Sequence, residues 1–247
     1  MTIEHASELD AMQRVGALVA RTLNTMTQAV RPGVTTGELD EVAAACARAA
    51  GGRSAPQLTY DFPGFTCISV NDEIVHGIPG PRVLRDGDVV TLDVTLELDG
   101  FMADSARTVI VGTGPRGAEQ LVRTAHLALE AGLAAARPGK RVRDVGAAID
   151  RTVRSYGARV FKELSGHGIG RQLHEEPSVP NWDDPSASMV LHEGLVIAVE
   201  PMIAGRVARV VEDDDGWTYR THNGTVAVHE EHTIMIRNGE PLILTQV

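Results

Sequence analysis

Arg31-Pro-Gly-Val-Thr-Thr-Gly-Glu-Leu39 has a counterpart 106 positions downstream, Arg137-Pro-Gly-Lys-Arg-Val-Arg-Asp-Val145. Each stretch stops one helix-like run and opens another, because proline cannot continue a helix and glycine favours its end. Before the first break, residues 6–30 place Met12, Val15, Leu18, Val19, Leu23 and Met26 at helical spacing. Ser7 is the expected N-cap of that helix, with Asp10 as an imperfect capping-box partner. After the break, a second helix is predicted over 38–50 and is closed by Gly51. The pattern returns as helices over 117–136 and 142–156, the latter closed by Gly157.

The correspondence extends beyond the helices. His76-Gly-Ile-Pro79 is echoed by His174-Glu-Glu-Pro177, and Leu84-Arg-Asp-Gly87 by Leu191-His-Glu-Gly194. Six residues after each of those glycines a carboxylate stands on a strand-like run, Asp93 in one and Glu200 in the other. Ordered self-similarity of this kind marks a duplicated unit. Each half reads as two helices followed by strands, with strand-like runs at 67–70, 88–98, 101–111, 195–204, 217–221 and 225–236. The expected fold class is α+β: a largely antiparallel sheet covered by helices, in one domain spanning 1–247. Its halves, about 6–112 and 113–240, are expected to be related by a pseudo-twofold axis that brings matching carboxylates to the centre.

Those carboxylates carry the chemistry. Along 88–98, Val90, Leu92, Val94, Leu96 and Leu98 share one face, and Thr91, Asp93, Thr95 and Glu97 the other. Asp99-Gly100 is a strong two-residue hairpin signal. That loop sets Asp93 opposite Ala106 and makes Asp104 its diagonal neighbour on the same face. In the second half, Glu200 matches Asp93 and Glu231 matches Asp104. Four acids forced together need raised pKa values or a cation between them. His167, expected in the glycine loop Gly166-His-Gly-Ile-Gly170, and His174 add imidazoles. Mostly hard oxygen donors with one imidazole suit Mn, Fe or Co better than a structural zinc. Bridging carboxylates suit a two-metal centre.

Composition narrows the partners. The chain has 247 residues, a formal net charge of −10 and 43% hydrophobic residues. With no basic tract, direct nucleic-acid binding is not expected. No apolar run has the length of a membrane span, and two cysteines, Cys46 and Cys67, are too few for a disulfide framework. A cytoplasmic protein is expected.

The motifs resemble those of the type I methionine aminopeptidases, of the pita-bread metallopeptidase fold. They are Cys67-Ile-Ser-Val-Asn-Asp-Glu-Ile-Val-His-Gly-Ile-Pro79, Leu92-Asp-Val-Thr with Asp99-Gly-Phe-Met-Ala-Asp104, and Ser165-Gly-His-Gly-Ile-Gly-Arg-Gln-Leu-His-Glu-Glu-Pro177. Ile197-Ala-Val-Glu-Pro-Met202 and Glu230-Glu-His-Thr233 complete the set, which covers nearly the whole chain in order. The start directly at the catalytic unit resembles bacterial members. The resemblance implies two divalent metal ions, Co, Mn or Fe, held by Asp93, Asp104, His167, Glu200 and Glu231, with Asp104 and Glu231 bridging. It implies His76 and His174 as substrate-contacting histidines, and Glu200 as the proton carrier to the leaving amine. The implied reaction is hydrolysis of the first peptide bond of chains beginning with methionine. Nascent chains, at the ribosome exit region, are the implied substrates, and the duplicated chain is expected to be monomeric.

The resemblance also implies a side-chain pocket lined by Phe62, Cys67 and Trp217. Thr59 replaces a usual Tyr there, Leu173 a usual Phe, and Pro56 a frequent Cys. His229-Glu230 stands where a Gln-aromatic pair is common before the last ligand. The alternative readings are a pita-bread exopeptidase cleaving before proline and a non-catalytic binding protein of the same fold.

Overall fold

A computed structural model describes residues 1–246; Val247, the last residue of the expected domain, lies outside the described residues. The first half opens with helices α1 (Ala6–Ala29) and α2 (Thr36–Ala49). It continues through β1 (Arg53–Ser54), α3 (Ala55–Tyr60), β2 (Cys67–Val70) and β3 (Glu73–Val75) to the long hairpin β4 (Val89–Leu98) and β5 (Phe101–Ile110). The second half repeats the helix pair as α4 (Ala118–Ala135) and α5 (Val142–Ser155). The strands β6 (Arg159–Val160), β7 (Ser165–Gly168), β8 (Glu175–Pro180), β9 (Val196–Val199) and β10 (Met202–Ala204) follow. After them come β11 (Val210–Glu212), β12 (Tyr219–Thr221), β13 (Ala227–His229), β14 (His232–Met235) and β15 (Leu242–Ile243).

The two Arg-Pro-Gly breaks do the same mechanical work. Gly33 and Gly139 adopt φ of 91° and 82°, a region glycine enters without steric cost. Their N–H groups donate to Leu84 O at 2.8 Å and Leu191 O at 2.9 Å, and Thr35 bridges Val83 as Arg141 bridges Val190. The duplication read from the sequence is therefore a duplication of hydrogen bonds.

Two apolar cores follow from the two helix pairs. Met12, Val15, Leu18, Leu23 and Met26 of α1 pack with Val90, Leu92, Val94 and Leu96 of β4. Val145, Ile149 and Val153 of α5 pack with Leu129 of α4, Ile197, Val199, Val228 and Ile234. Each such aliphatic side chain contributes about 1.5–3 kcal/mol by leaving water. The opposite face of β4 is left to Thr91, Asp93, Thr95 and Glu97, all buried.

All strand pairings are antiparallel, in a four-stranded sheet around β4 and a five-stranded sheet ordered β15-β14-β9-β7-β8, with two three-stranded sheets between. The Asp99-Gly100 turn has φ of 54° and 80°, and the register sets Asp93 against Ala106 and Thr95 against Asp104, as the hairpin rule predicts.

Three local expectations need correction. The α1 cap is His5 rather than Ser7: the Glu8 carboxylate accepts the N–H groups of Glu4 and His5 and completes the first turn two residues earlier. His167 lies in strand β7, not in a loop, because Ser165–Gly168 pairs with β8 on one side and β9 on the other. The predicted strands 195–204 and 225–236 are each interrupted, at Glu200-Pro201 and at Glu230-Glu231. Pro201 has no N–H to give a ladder.

Candidate metal centre

The central cavity, about 150 Å³, is walled by both halves. Asp93 reaches it from β4 and Asp104 from β5. His167 comes from β7, Glu200 from the break after β9 and Glu231 from the break before β14. Relative exposures run from 2% at Glu231 to 9% at Asp93 and His167. Thr95 Oγ1 donates to Asp104 Oδ1 at 2.7 Å and fixes that carboxylate. The halves are stitched together beside it. Asp104 N–H donates to Thr233 Oγ1 (2.9 Å), Ser105 Oγ to Glu231 O (2.7 Å) and Glu231 N–H to Ala106 O (3.0 Å).

Burial and mutual repulsion dominate the electrostatics. Loss of water pushes the Asp93, Glu200 and Glu231 carboxyls well above the ordinary range, and the charge of Asp104 pushes each further. Asp104 rises as well, by burial, against the hydrogen bond from Thr95. Burial pushes the His167 imidazole down to about 3 and His76 down to about 4, with His174 adding to each shift. His174 is itself lowered by burial.

The arrangement fits divalent cations. His167 Nδ1 sits 2.9 Å from Gly168 O, which assigns its proton to Nδ1. The Nε2 lone pair then faces Glu200 Oε1 at 3.4 Å and Asp104 Oδ2 at 4.0 Å. A lone pair aimed at carboxylate oxygens calls for a positive charge between them, with the second ring nitrogen held by a backbone carbonyl. Asp104, His167 and Glu231 offer ligand atoms all within 4.8 Å of one another. Asp93 Oδ1 and Glu231 Oε1 are buried with no hydrogen-bond partner. Buried charged oxygens left open in this way are costly unless an ion satisfies them.

The substrate-side residues surround the acids. Phe62, Cys67, Leu173 and Trp217 line the cavity together with Pro56, Tyr60, His76 and His174. Phe62 meets Trp217 edge-on at 5.1 Å between ring centroids. The Asp213-Asp214-Asp215-Gly216 turn holds the tryptophan in place. Asp215 Oδ1 accepts the backbone N–H groups of Trp217 and Thr218 at 2.8 Å each and so fixes the chain path that carries the indole. His76 has φ of 60°, in the left-handed region, a strained backbone of the kind found at functional positions.

Thr59 does not join the pocket. It is exposed on α3, and its neighbour Tyr60 takes the wall position. Tyr60 Oη lies 2.6 Å from His174 Nδ1. Counting along a helix of six residues hides which of two neighbours faces inward, so the sequence reading missed Tyr60 by one position. It also left His229 without a role, although that imidazole lines the cavity at 1% exposure.

Two helix pairs over antiparallel sheets, with buried acids and an imidazole at their joint, form a fold and site suited to divalent cations. The sequence profile of metallopeptidase family M24 matches residues 10–238, and the chain belongs to that family. It is 40% identical, over 100% of both chains, to methionine aminopeptidase 2 of Bacillus subtilis. The crystal structure of a methionine aminopeptidase from Thermotoga maritima superimposes with a TM-score of 0.94 at 35% identity, covering 100% of each chain. A Xaa-Pro dipeptidase from Bacillus anthracis shares the fold alone, with a TM-score of 0.80 at 20% identity; this chain covers 62% of it.

Proposed function

We propose that the protein removes N-terminal methionine from peptides and nascent chains by hydrolysing the first peptide bond. In this reading residues 1–247 form one catalytic domain, monomeric and cytoplasmic, that meets nascent chains at the ribosome exit region. The observation that carries it is the His167 Nε2 lone pair directed at the buried carboxylates of Glu200 and Asp104. Asp93, Asp104, His167, Glu200 and Glu231 would hold two divalent ions, Co, Mn or Fe, in this reading. The chemistry that such ions supply when bound is Lewis-acid polarisation of a carbonyl and acidification of water.

The chain's own residues do the rest. Phe62, Cys67, Leu173 and Trp217 present an apolar wall suited to an unbranched thioether. His76 and His174, kept neutral by burial, can donate a hydrogen bond without carrying charge. His76 holds the substrate backbone, and His174, set by Tyr60, faces the oxygen on which negative charge develops. Glu200, whose carboxyl is pushed well up by burial and by Asp104, is in this reading the group that carries the proton to the leaving amine.

The test is hydrolysis of Met-Ala-Ser, Leu-Ala-Ser and Ala-Pro-Ala by metal-stripped protein reloaded separately with Mn, Co, Fe or Zn. Metal-dependent release of methionine alone is the expected result. Equal release of leucine would overturn the methionine selectivity, and silence with every metal would overturn the activity. Preferred turnover of Ala-Pro-Ala would move the protein to the Xaa-Pro-cleaving class.

A further inference from the structure

His229 is a buried polar side chain in the cavity wall to which the reaction assigns no part. It ends β13, where it pairs with Met202 of β10. Its backbone is held by a single hydroxyl: its N–H donates to Thr108 Oγ1 at 2.9 Å, and its carbonyl accepts from the same oxygen at 2.8 Å. Val228 packs in the second core. Strand alternation then turns the next residue towards the cavity. The ring has almost no freedom to settle elsewhere.

Its nitrogens are placed unusually. Nε2 lies 3.6 Å from Glu200 Oε2 and 3.7 Å from Glu231 Oε2, and neither ring nitrogen has a hydrogen-bond partner. Comparison with His167 fixes the tautomer. In His167 a backbone carbonyl takes the Nδ1 proton and frees Nε2 as a lone-pair donor. His229 has no such acceptor at Nδ1. A lone pair at its Nε2 would face two carboxylate oxygens and be repelled, whereas an N–H there is attracted to both.

We propose that His229 is a positioning residue: its Nε2–H sits between the carboxylates of Glu200 and Glu231 and sets their spacing for the cation. It does so without ligating. This rests on the ligand assignment given above. At 3.6 and 3.7 Å the contact is an electrostatic one that pre-orients the carboxylates as an outer hydrogen bond would, and loss of outer contacts to metal ligands typically weakens metal binding by about 10–100-fold.

The test is calorimetric titration of Mn²⁺ into the metal-stripped full chain and into His229→Ala, His229→Leu and His229→Gln, with thermal melts for each. Glutamine keeps an N–H donor; leucine keeps volume without one and serves if the alanine variant fails to fold. The expected result is a loss of about 10–100-fold in Mn²⁺ affinity for Ala and Leu, with most of it restored by Gln. Wild-type affinity in a folded Ala or Leu variant overturns the proposal. So does a Gln variant as weak as Leu. Electron spin echo spectra of bound Mn²⁺ should show one coordinated imidazole in wild type and in His229→Gln; a second imidazole, lost in the variant, would make His229 a ligand and overturn it. Failure of the ligand assignment is distinguishable: wild type would then take up no Mn²⁺, or Glu231→Gln would bind it as tightly as wild type.

Discussion

Tyr60 touches His174 through one hydrogen bond of 2.6 Å, and half of its ring stays in solvent. Its value lies in orienting the imidazole rather than in packing. Tyr60→Phe removes only that bond, worth about 0.5–1.5 kcal/mol. A fall of about 2–10-fold in kcat/KM on Met-Ala-Ser is expected, with the melting temperature unmoved. Thr59→Ala, one position away and exposed, should leave the same constant within about twofold. Steady-state kinetics of the two variants side by side decide which neighbour belongs to the pocket. Among the proposed ligands, Glu231 is the most enclosed, and Glu231→Gln removes a charge while preserving shape. Such a variant is expected to lose at least about 100-fold in kcat and most of its metal uptake, as measured by elemental analysis after dialysis.

At the scale of elements, β7 is closely hemmed in by β9. A Cβ added to Gly166 would lie 2.4 Å from Ala198 O and 3.1 Å from Glu200 Cγ, so alanine there must push β9 and its ligand away. Gly166→Ala is expected to cost about 1–3 kcal/mol in urea unfolding and to lower metal affinity, whereas Gly205→Ala, with open space around it, should stay within about 0.5 kcal/mol. The same strand shows what a sequence conceals. Ser165-Gly-His-Gly has no β-branched residue and no alternation; it is a strand because β8 and β9 pair with it on either side. The four long helices were legible because an apolar face repeats over many turns, and the β4–β5 register because Asp99-Gly100 admits one hairpin geometry. The breaks at Glu200-Pro201 and Glu230-Glu231 were hidden inside continuous apolar runs. Thr59 and Tyr60 were exchanged because a single helical turn has no periodicity to read.

For the whole molecule, the buried acids set the pH response. In the metal-free chain the carboxyls of Asp93, Asp104, Glu200 and Glu231 are raised, so above the ordinary carboxylate value the folded state holds protons that the unfolded state has released. Their contribution is full below the unfolded value and is lost as pH rises through the raised ones. His167 and His229, each at about 3, act in the opposite sense: their contribution is full above 6.5 and is lost as pH falls towards 3. In melts with EDTA the four carboxyls are therefore expected to favour the stripped fold less as pH rises above the ordinary carboxylate range, while the two histidines favour it less as pH falls below 6.5. Excess Mn²⁺ should raise the melting temperature, and by more at pH 8 than at pH 6, because the cation then displaces fewer protons.

The seam between the halves gives this ion dependence a spatial address. Asp104 and Glu231 present their carboxylates to the cavity while their own backbone N–H groups bond across to the other half. Whatever steadies those two side chains also steadies the amides that join N-terminal to C-terminal repeat. The first apolar core also takes in Ile169, Leu173 and Val196 of the second half, so apolar packing and this carboxylate seam together join the repeats. Deuterium uptake should register this directly, with the amides of Asp104 and Glu231 among the slowest to exchange in the loaded protein and selectively quickened by chelation, while those of α1 and α5 keep their pace. An ion held at the proposed site would then double as a rivet between the two repeats.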